Sequence, residues 1–320
     1  MIRMRALTVA LAILFAFPAA AVSDPHMSSE PIAVDIVTTD IPNFWRAFDD
    51  ASRARTKAQR AKIFGEEYFL PGSDGLWGFV GGRLQSPRYV AEITAKQRAD
   101  YIRVRSVTER MPSAVPKIFA DFKRFKNFYP DAQFPKIYFV IGVWNSGGTS
   151  IDWVGDIIGA EVIAKMGLEV IPGLVTHETV HWNQHDPDEN TLLDATLIEG
   201  SADFIAELAD GHVETDAQWQ FGCSHEQALW TLYQQQMLKQ DDALREAWLF
   251  SDHAPLQAPP FIGYWIGYRI VQSYYDQSTD KRAAINAILH IKDSRDFLAS
   301  SGYDGVKPGG TCQRVTRWGG

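Results

Sequence analysis

The 320-residue chain is 46% hydrophobic and 22% charged, a globular balance that excludes a disordered or fibrous protein. Its formal charge of −8 disfavours nucleic acid as a partner. Past the first two dozen residues no segment offers the roughly 20 uncharged residues that a membrane-spanning helix needs.

A basic start carrying Arg3 and Arg5 leads into an apolar run from Ala6 to Phe17 and then Pro18, Ala19, Ala20 and Ala21. That order describes a secretory signal peptide over residues 1–21. Its apolar run is too short for a permanent span, and no cysteine stands near Ala21 to accept a lipid. Residues 22–320 are therefore expected to form one soluble, exported domain, placed in a bacterial periplasm or secreted, with no stable membrane insertion. Cys223 and Cys312 are the two cysteines, and an oxidising compartment permits their pairing. Their spacing leaves the bond open, because it does not say how close the two backbones come.

Residues 32–37 read as a strand. Asp40, Ile41 and Pro42 then mark a helix start, with Ile41, Phe44, Trp45 and Phe48 as its inner face and basic residues up to Lys62 as solvated surface. Residues 69–86, with five glycines and Pro71, read as loop. Helical patterns return over residues 91–128, interrupted at Pro112 and Pro116. Residues 136–143 form the clearest strand, rich in branched and aromatic side chains, and run into Asn145-Ser-Gly147-Gly148-Thr149, where glycines admit close approach of another backbone. From Ile171 onward the pattern is almost wholly helical. These elements predict an α+β fold in which a small mixed β-sheet packs on a predominantly helical body.

His177-Glu178-Thr-Val-His181 lies inside one of these helices. Residues four apart stack on one helical face, so both imidazoles can reach a single zinc ion about 2.0–2.1 Å away. Glu178 is placed to reach a water on that ion and take its proton as the water attacks a carbonyl. A catalytic zinc needs a third protein ligand and one open position. Glu199, on a second helical pattern over residues 191–209, follows after enough chain for a turn and a return, and is the candidate ligand. Asp203, one turn further on the same face, can accept a hydrogen bond from the distal nitrogen of a ligating histidine, most directly His177. His185 shares the face of His177 and His181, but three successive turns of one straight helix span too much length to converge on one ion.

The H-E-T-V-H segment followed by Glu199-Gly-Ser-Ala-Asp203 resembles the gluzincin arrangement of thermolysin-like peptidases. More closely, the chain looks like the zinc-dependent proteases related to the gliding-motility lipoprotein GldB. The likeness rests on the Asn145–Thr149 segment, on His177 through Gln184, on Glu199 through Ile205, and on Gly263-Tyr-Trp-Ile-Gly-Tyr268. It departs at the missing lipid-attachment cysteine. The resemblance implies a zincin-like fold, one Zn²⁺ ion held by His177, His181 and Glu199, and hydrolysis of a peptide or protein substrate with Glu178 as general base. It also implies an extended substrate lying along an edge strand. The candidate is residues 136–143 with the turn that carries Asn145, Gly147 and Gly148, against the alternative of an interior strand and a plain turn. A donor to the developing oxyanion is sought in Tyr264 or Tyr268, with His225 and His253 as substitutes and plain core aromatics as the alternative. A zinc hydrolase of non-peptide amides or esters, and a non-catalytic zinc-binding factor of the cell envelope, are the rival functions.

Overall fold

Ile41, Phe44, Trp45 and Phe48 are all buried along helix α1 (Asp40–Arg53), as their helical spacing dictates. Asp40 does not cap its own helix. Its carboxylate accepts from the backbone and hydroxyl of Ser73 instead, tying α1 to the segment that follows α2 (Lys57–Phe64). The computed structural model describes residues 26–184, 191–211, 216–251, 253–306 and 312–319. The leader assigned to residues 1–21, and His185 with the turn after it, lie outside the described residues. Among those described, no helix is long and apolar enough to cross a membrane.

Residues 69–86, expected as loop, are largely helical. Ser73 caps α3 (Asp74–Phe79) by accepting from Leu76 N, and a π-turn over Val80–Leu84 follows. Leu76, Phe79 and Leu84 are fully buried anchors. Gly75 serves packing rather than turning, since a Cβ there would meet the Tyr138 side chain at 2.3 Å. The helices α4 (Pro87–Lys96), α5 (Arg98–Thr108) and α6 (Val115–Phe128) follow, with a 3₁₀ turn at Met111–Ala114 where the prolines predicted a break.

Two sheets stand beside these helices. One is the antiparallel pair β1 (Met27–Ser28) and β3 (Phe134–Pro135). The other has four strands in the order β2 (Ile36–Val37), β4 (Ile137–Val140), β6 (Gly155–Gly159) and β5 (Gly148–Ile151). The strand expected from residue 32 is shortened by a 3₁₀ turn that opens at Pro31. β4 is parallel to both neighbours, and β5 runs antiparallel to β6 in the register Gly148↔Ile158. The strand predicted over residues 136–143 is thus interior and four residues long. Beyond Val140 its backbone groups leave the ladder for side chains: Tyr68 Oη bonds both N and O of Ile141, Tyr101 Oη donates to Gly142 O, and the buried Glu161 accepts from Gly142 N and Trp144 N. Strand propensity persists there, but every buried polar group still needs a partner, and these side chains supply it. The edges belong to β2 and β5.

After the short α7 (Ala160–Ile163), the rest is helical: α8 (Ile171–His181), α9 (Leu192–Asp210), α10 (Asp216–Tyr233), α11 (Asp242–Leu249), α12 (Ile262–Gln277), α13 (Lys281–Leu289) and α14 (Ser294–Ser301). α9 is buried over nearly its whole length and is wrapped by α8, α6 and α12. Cys223 of α10 is bonded to Cys312. From there the C-terminal segment runs along α9 and α12: Val315 N donates to Tyr268 Oη at 2.9 Å, Trp318 N to Leu208 O at 2.9 Å, and Arg314 pairs with the buried Glu207 at 3.4 Å. The architecture is α+β, with small mixed sheets on a mainly helical body.

Candidate metal centre

α8 enters the core behind Pro172 with Ile171, Val175 and Val180 fully buried. Its two buried hydroxyls are satisfied within the helix, Thr176 by Pro172 O and Thr179 by Val175 O. Asn183 closes the C-terminal end by donating to Thr179 O and Gln133 O and accepting from Gln133 N. α9 starts from a capping box in which Thr191 and Asp194 satisfy each other's backbone N–H, so its first turn is held where the chain returns beside α8.

This pairing of helices brings three ligand atoms together. His177 Nε2 lies 3.1 Å from His181 Nε2 and 3.3 Å from Glu199 Oε2, and His181 Nε2 lies 3.5 Å from the same oxygen. Three corners of a tetrahedron about 2.05 Å from its centre are separated by about 3.3 Å. The outer nitrogens decide what the inner ones can be. His177 Nδ1 is 2.7 Å from Asp203 Oδ1, and a carboxylate only accepts, so Nδ1 carries the proton. His181 Nδ1 is 2.7 Å from Gln184 Oε1, and the Gln184 amide nitrogen donates to Ile198 O at 2.8 Å. Its oxygen must therefore accept from His181. With both Nδ1 atoms protonated, both neutral Nε2 atoms present lone pairs to each other and to a carboxylate oxygen. Three acceptors at this separation repel unless a cation or protons lie among them.

The electrostatics agree. Burial pulls the imidazoles of His177 and His181 down, yet the carboxylates beside them, Asp203 and Glu199 for His177 and Glu199 for His181, hold both above the usual histidine range. Burial pushes the Glu199 carboxyl up, but hydrogen bonds to the two imidazoles take it well below the usual carboxylate range. Without a metal the cluster gathers protons, so the site favours positive charge. His177, His181 and Glu199 form the group of metal-ligating side chains found among the described residues. Two imidazoles and a carboxylate suit zinc, and three ligands leave a fourth position open.

Tyr264 is set against this cluster by a close helix crossing. Gly200 of α9 and Gly267 of α12 face each other so tightly that a Cβ on Gly200 would lie 2.2 Å from Gly267 C, and one on Gly267 would lie 2.0 Å from Thr196 O. One residue before Gly200 is Glu199. Nearly one turn before Gly267 is Tyr264, whose ring stacks on His177 at 6.1 Å with 7° between planes and whose hydroxyl lies near the Glu199 carboxylate. Burial, then Glu199 and Asp203, push the phenol far above its usual range, so it remains a donor. Tyr268 is not brought to the ligand atoms: it is fully buried beside Phe204 and Trp219, with its hydroxyl at Val315 N and Glu207. His225 is exposed, stacked on Phe221 and bonded to its carbonyl, and His253 is exposed as well.

Glu178 is half-buried and faces the edge strand. A Cβ on Gly148 would sit 3.6 Å from Glu178 Oε1. Asn145 and Gly147 are engaged elsewhere: Asn145 donates to Arg83 O, and Gly147 O accepts from Gly159 N. The strand assigned to the substrate is corrected accordingly, because residues 136–143 form the interior β4 and the strand beside Glu178 is β5. Two supports escaped sequence reasoning. Gln184 lies nearly one turn after His181, a spacing that carried the signal for its hydrogen bond. Asp156 gave none: from β6 it accepts from Ser150 Oγ of β5 and from Trp182 Nε1 at 2.7 and 2.6 Å. Burial and then the nearby Glu178 push its carboxyl up to about 7.

Residues 145–292 match the family model described as "Predicted Zn-dependent protease (DUF2268)". The matched stretch opens at Asn145 and takes in β5, both ligand helices and Tyr264. It supports a zinc-dependent protease and says nothing of the gliding-motility lipoproteins. No curated protein and no solved structure matches the chain.

Proposed function

We propose that the chain is an exported zinc-dependent peptidase of gluzincin type, with His177, His181 and Glu199 holding the ion. The observation that carries the reading is the convergence of three acceptor atoms 3.1–3.5 Å apart, with Glu178 between them and an edge strand. Zinc, when bound, would polarise a substrate carbonyl and lower the pKa of a water toward about 7. Glu178 takes the proton from the attacking water and returns it to the leaving amine. Tyr264 donates to the oxyanion that develops on the carbonyl, a contribution that removal of one such donor elsewhere puts at roughly 10²–10³ in rate. The open side of β5 offers backbone N–H and C=O groups to an extended peptide, which favours a peptide over a small ester. Asp203 and Gln184 keep the two imidazoles in the ligating tautomer. The signal peptide and the Cys223–Cys312 bond are what an exported, oxidised protein would carry.

Glu178→Gln tests this directly. Zinc content after dialysis should stay at one per chain, while cleavage of a peptide library, followed by mass spectrometry, falls by about 10²–10⁴. Unchanged cleavage would rule out the peptidase mechanism.

A further inference from the structure

Two exposed aromatic side chains gather beside the metal centre, where an apolar surface borders the ligand atoms. Phe250 and Phe261 are 46% and 43% exposed. Their rings approach Tyr264 edge-on, at 6.5 and 5.6 Å between centroids, and Tyr264 in turn stacks on His177. A continuous run of rings thus leads from a metal ligand out to solvent.

Both phenylalanines stand at helix ends. Phe250 ends α11, whose Trp248 and Leu249 are buried. Gly263 lets that end seat directly on α12, since a Cβ there would meet Leu249 Cδ2 at 2.6 Å. Phe261 immediately precedes α12 with φ of 64°, a left-handed conformation that a bulky residue adopts only at a cost in strain and that glycine would adopt freely. Keeping an exposed phenyl ring at a strained position gives the fold nothing. It does give the site an apolar wall.

We propose that Phe250 and Phe261, with the Tyr264 ring between them, form the subsite that receives a large apolar or aromatic side chain of the substrate next to the scissile bond. This rests on the peptidase reading above and adds the substrate class: peptides with a bulky hydrophobic residue at the cleavage position. The Phe250 and Phe261 rings meet Tyr264 at 84° and 70°, leaving edges and faces for an incoming ring to pack against in the offset or edge-to-face arrangements that aromatic groups prefer.

Two hydroxamates, acetohydroxamate and 3-phenylpropanohydroxamate, separate the subsite from the metal. Both chelate zinc, and only the second carries a phenyl arm. Calorimetry on the zinc-loaded full chain should show the phenyl arm raising affinity about tenfold or more. In Phe250→Ala/Phe261→Ala that gain should fall below about threefold, with zinc stoichiometry and acetohydroxamate affinity unchanged. Phe261→Gly should lose part of the gain while melting at a higher temperature, because it removes the left-handed strain; a purely structural role would move both in the same direction. Equal binding of the two hydroxamates by the unmodified chain, or a gain that survives the double substitution, overturns the subsite. If neither hydroxamate binds, the metal centre itself is wrong and the subsite falls with it.

Discussion

Helix α9 carries the half-buried Glu199 and the buried Asp203, Glu207 and Asp210 along its length, and its two ends treat them in opposite ways. At the first end Glu199 and Asp203 meet imidazoles, and hydrogen bonds to them hold Glu199 well below its usual range. At the other end Glu207 is fully buried, and burial pushes its carboxyl up to about 7 despite Arg314 and the Tyr268 hydroxyl, while Asp210 pairs with Lys117. The first pair is arranged to accept a cation. The second fastens the C-terminal segment and α6 to the helix. Each pair is a glutamate followed by an aspartate about one helical turn later, so function here is decided by what the neighbouring elements bring to each turn.

The largest expected difference is between Glu199→Ala and Glu207→Ala. Glu199→Ala should lower zinc affinity by more than about a hundredfold, exceeding the 10–100-fold typical of losing an outer-shell partner, with little change in melting temperature of the metal-free protein. Glu207→Ala should leave zinc stoichiometry intact and cost about 3 kcal/mol of stability in denaturant titration, because it removes the buried carboxyl that ties the C-terminal segment to α9. If both substitutions act on zinc alike, the two ends are not functionally distinct. Next comes the disulfide, which closes a span of 89 residues. Cys223→Ser/Cys312→Ser should cost about 2–4 kcal/mol in the same titration, and zinc binding should persist, since no ligand rides on the C-terminal segment.

The division between the two ends of α9 also marks what the sequence could reveal. His177, His181, Glu199 and Asp203 were legible because helical spacing is local: residues four apart share a face whatever the rest of the chain does. Nothing local separates Glu199 from Glu207, however, and Arg314 lies more than a hundred residues away. The same limit governed the sheet. Residues 136–143 gave the strongest strand pattern because a parallel strand covered on both faces is apolar throughout, and that very pattern marks an interior strand. The edge strand beside Glu178, Gly148-Thr-Ser-Ile151, is short and largely polar, so its signal is weak. Residues 69–86 carry glycines that suit turns, yet Gly75 is small to admit Tyr138 rather than to let the chain turn.

Smaller effects sharpen the contrast. Asp203→Asn should weaken zinc binding by about 10–100-fold without abolishing it, since the ligands remain and only the orientation of His177 is loosened; a competition titration with a chromophoric chelator would read this. Glu207 predicts a pH effect of definite sign. Its carboxyl stands at about 7 in the fold against 4.5 ordinarily, so between these values the folded chain keeps a proton that the unfolded chain has released. The stabilisation is full below the lower value and is lost as pH rises through the upper one. The melting temperature of the metal-free protein should therefore fall by on the order of 5 °C between about pH 5 and about pH 8, and Glu207→Gln should flatten part of that slope. A melting temperature that climbs over this interval would contradict the assignment.

The most direct test of the central claim is anomalous scattering at the zinc edge from a crystal of the zinc-loaded protein. A single peak should lie about 2.0–2.1 Å from His177 Nε2, His181 Nε2 and a Glu199 carboxylate oxygen, with Glu178 close by but not ligating. A peak that lacks Glu199, or one seated elsewhere in the molecule, would contradict it.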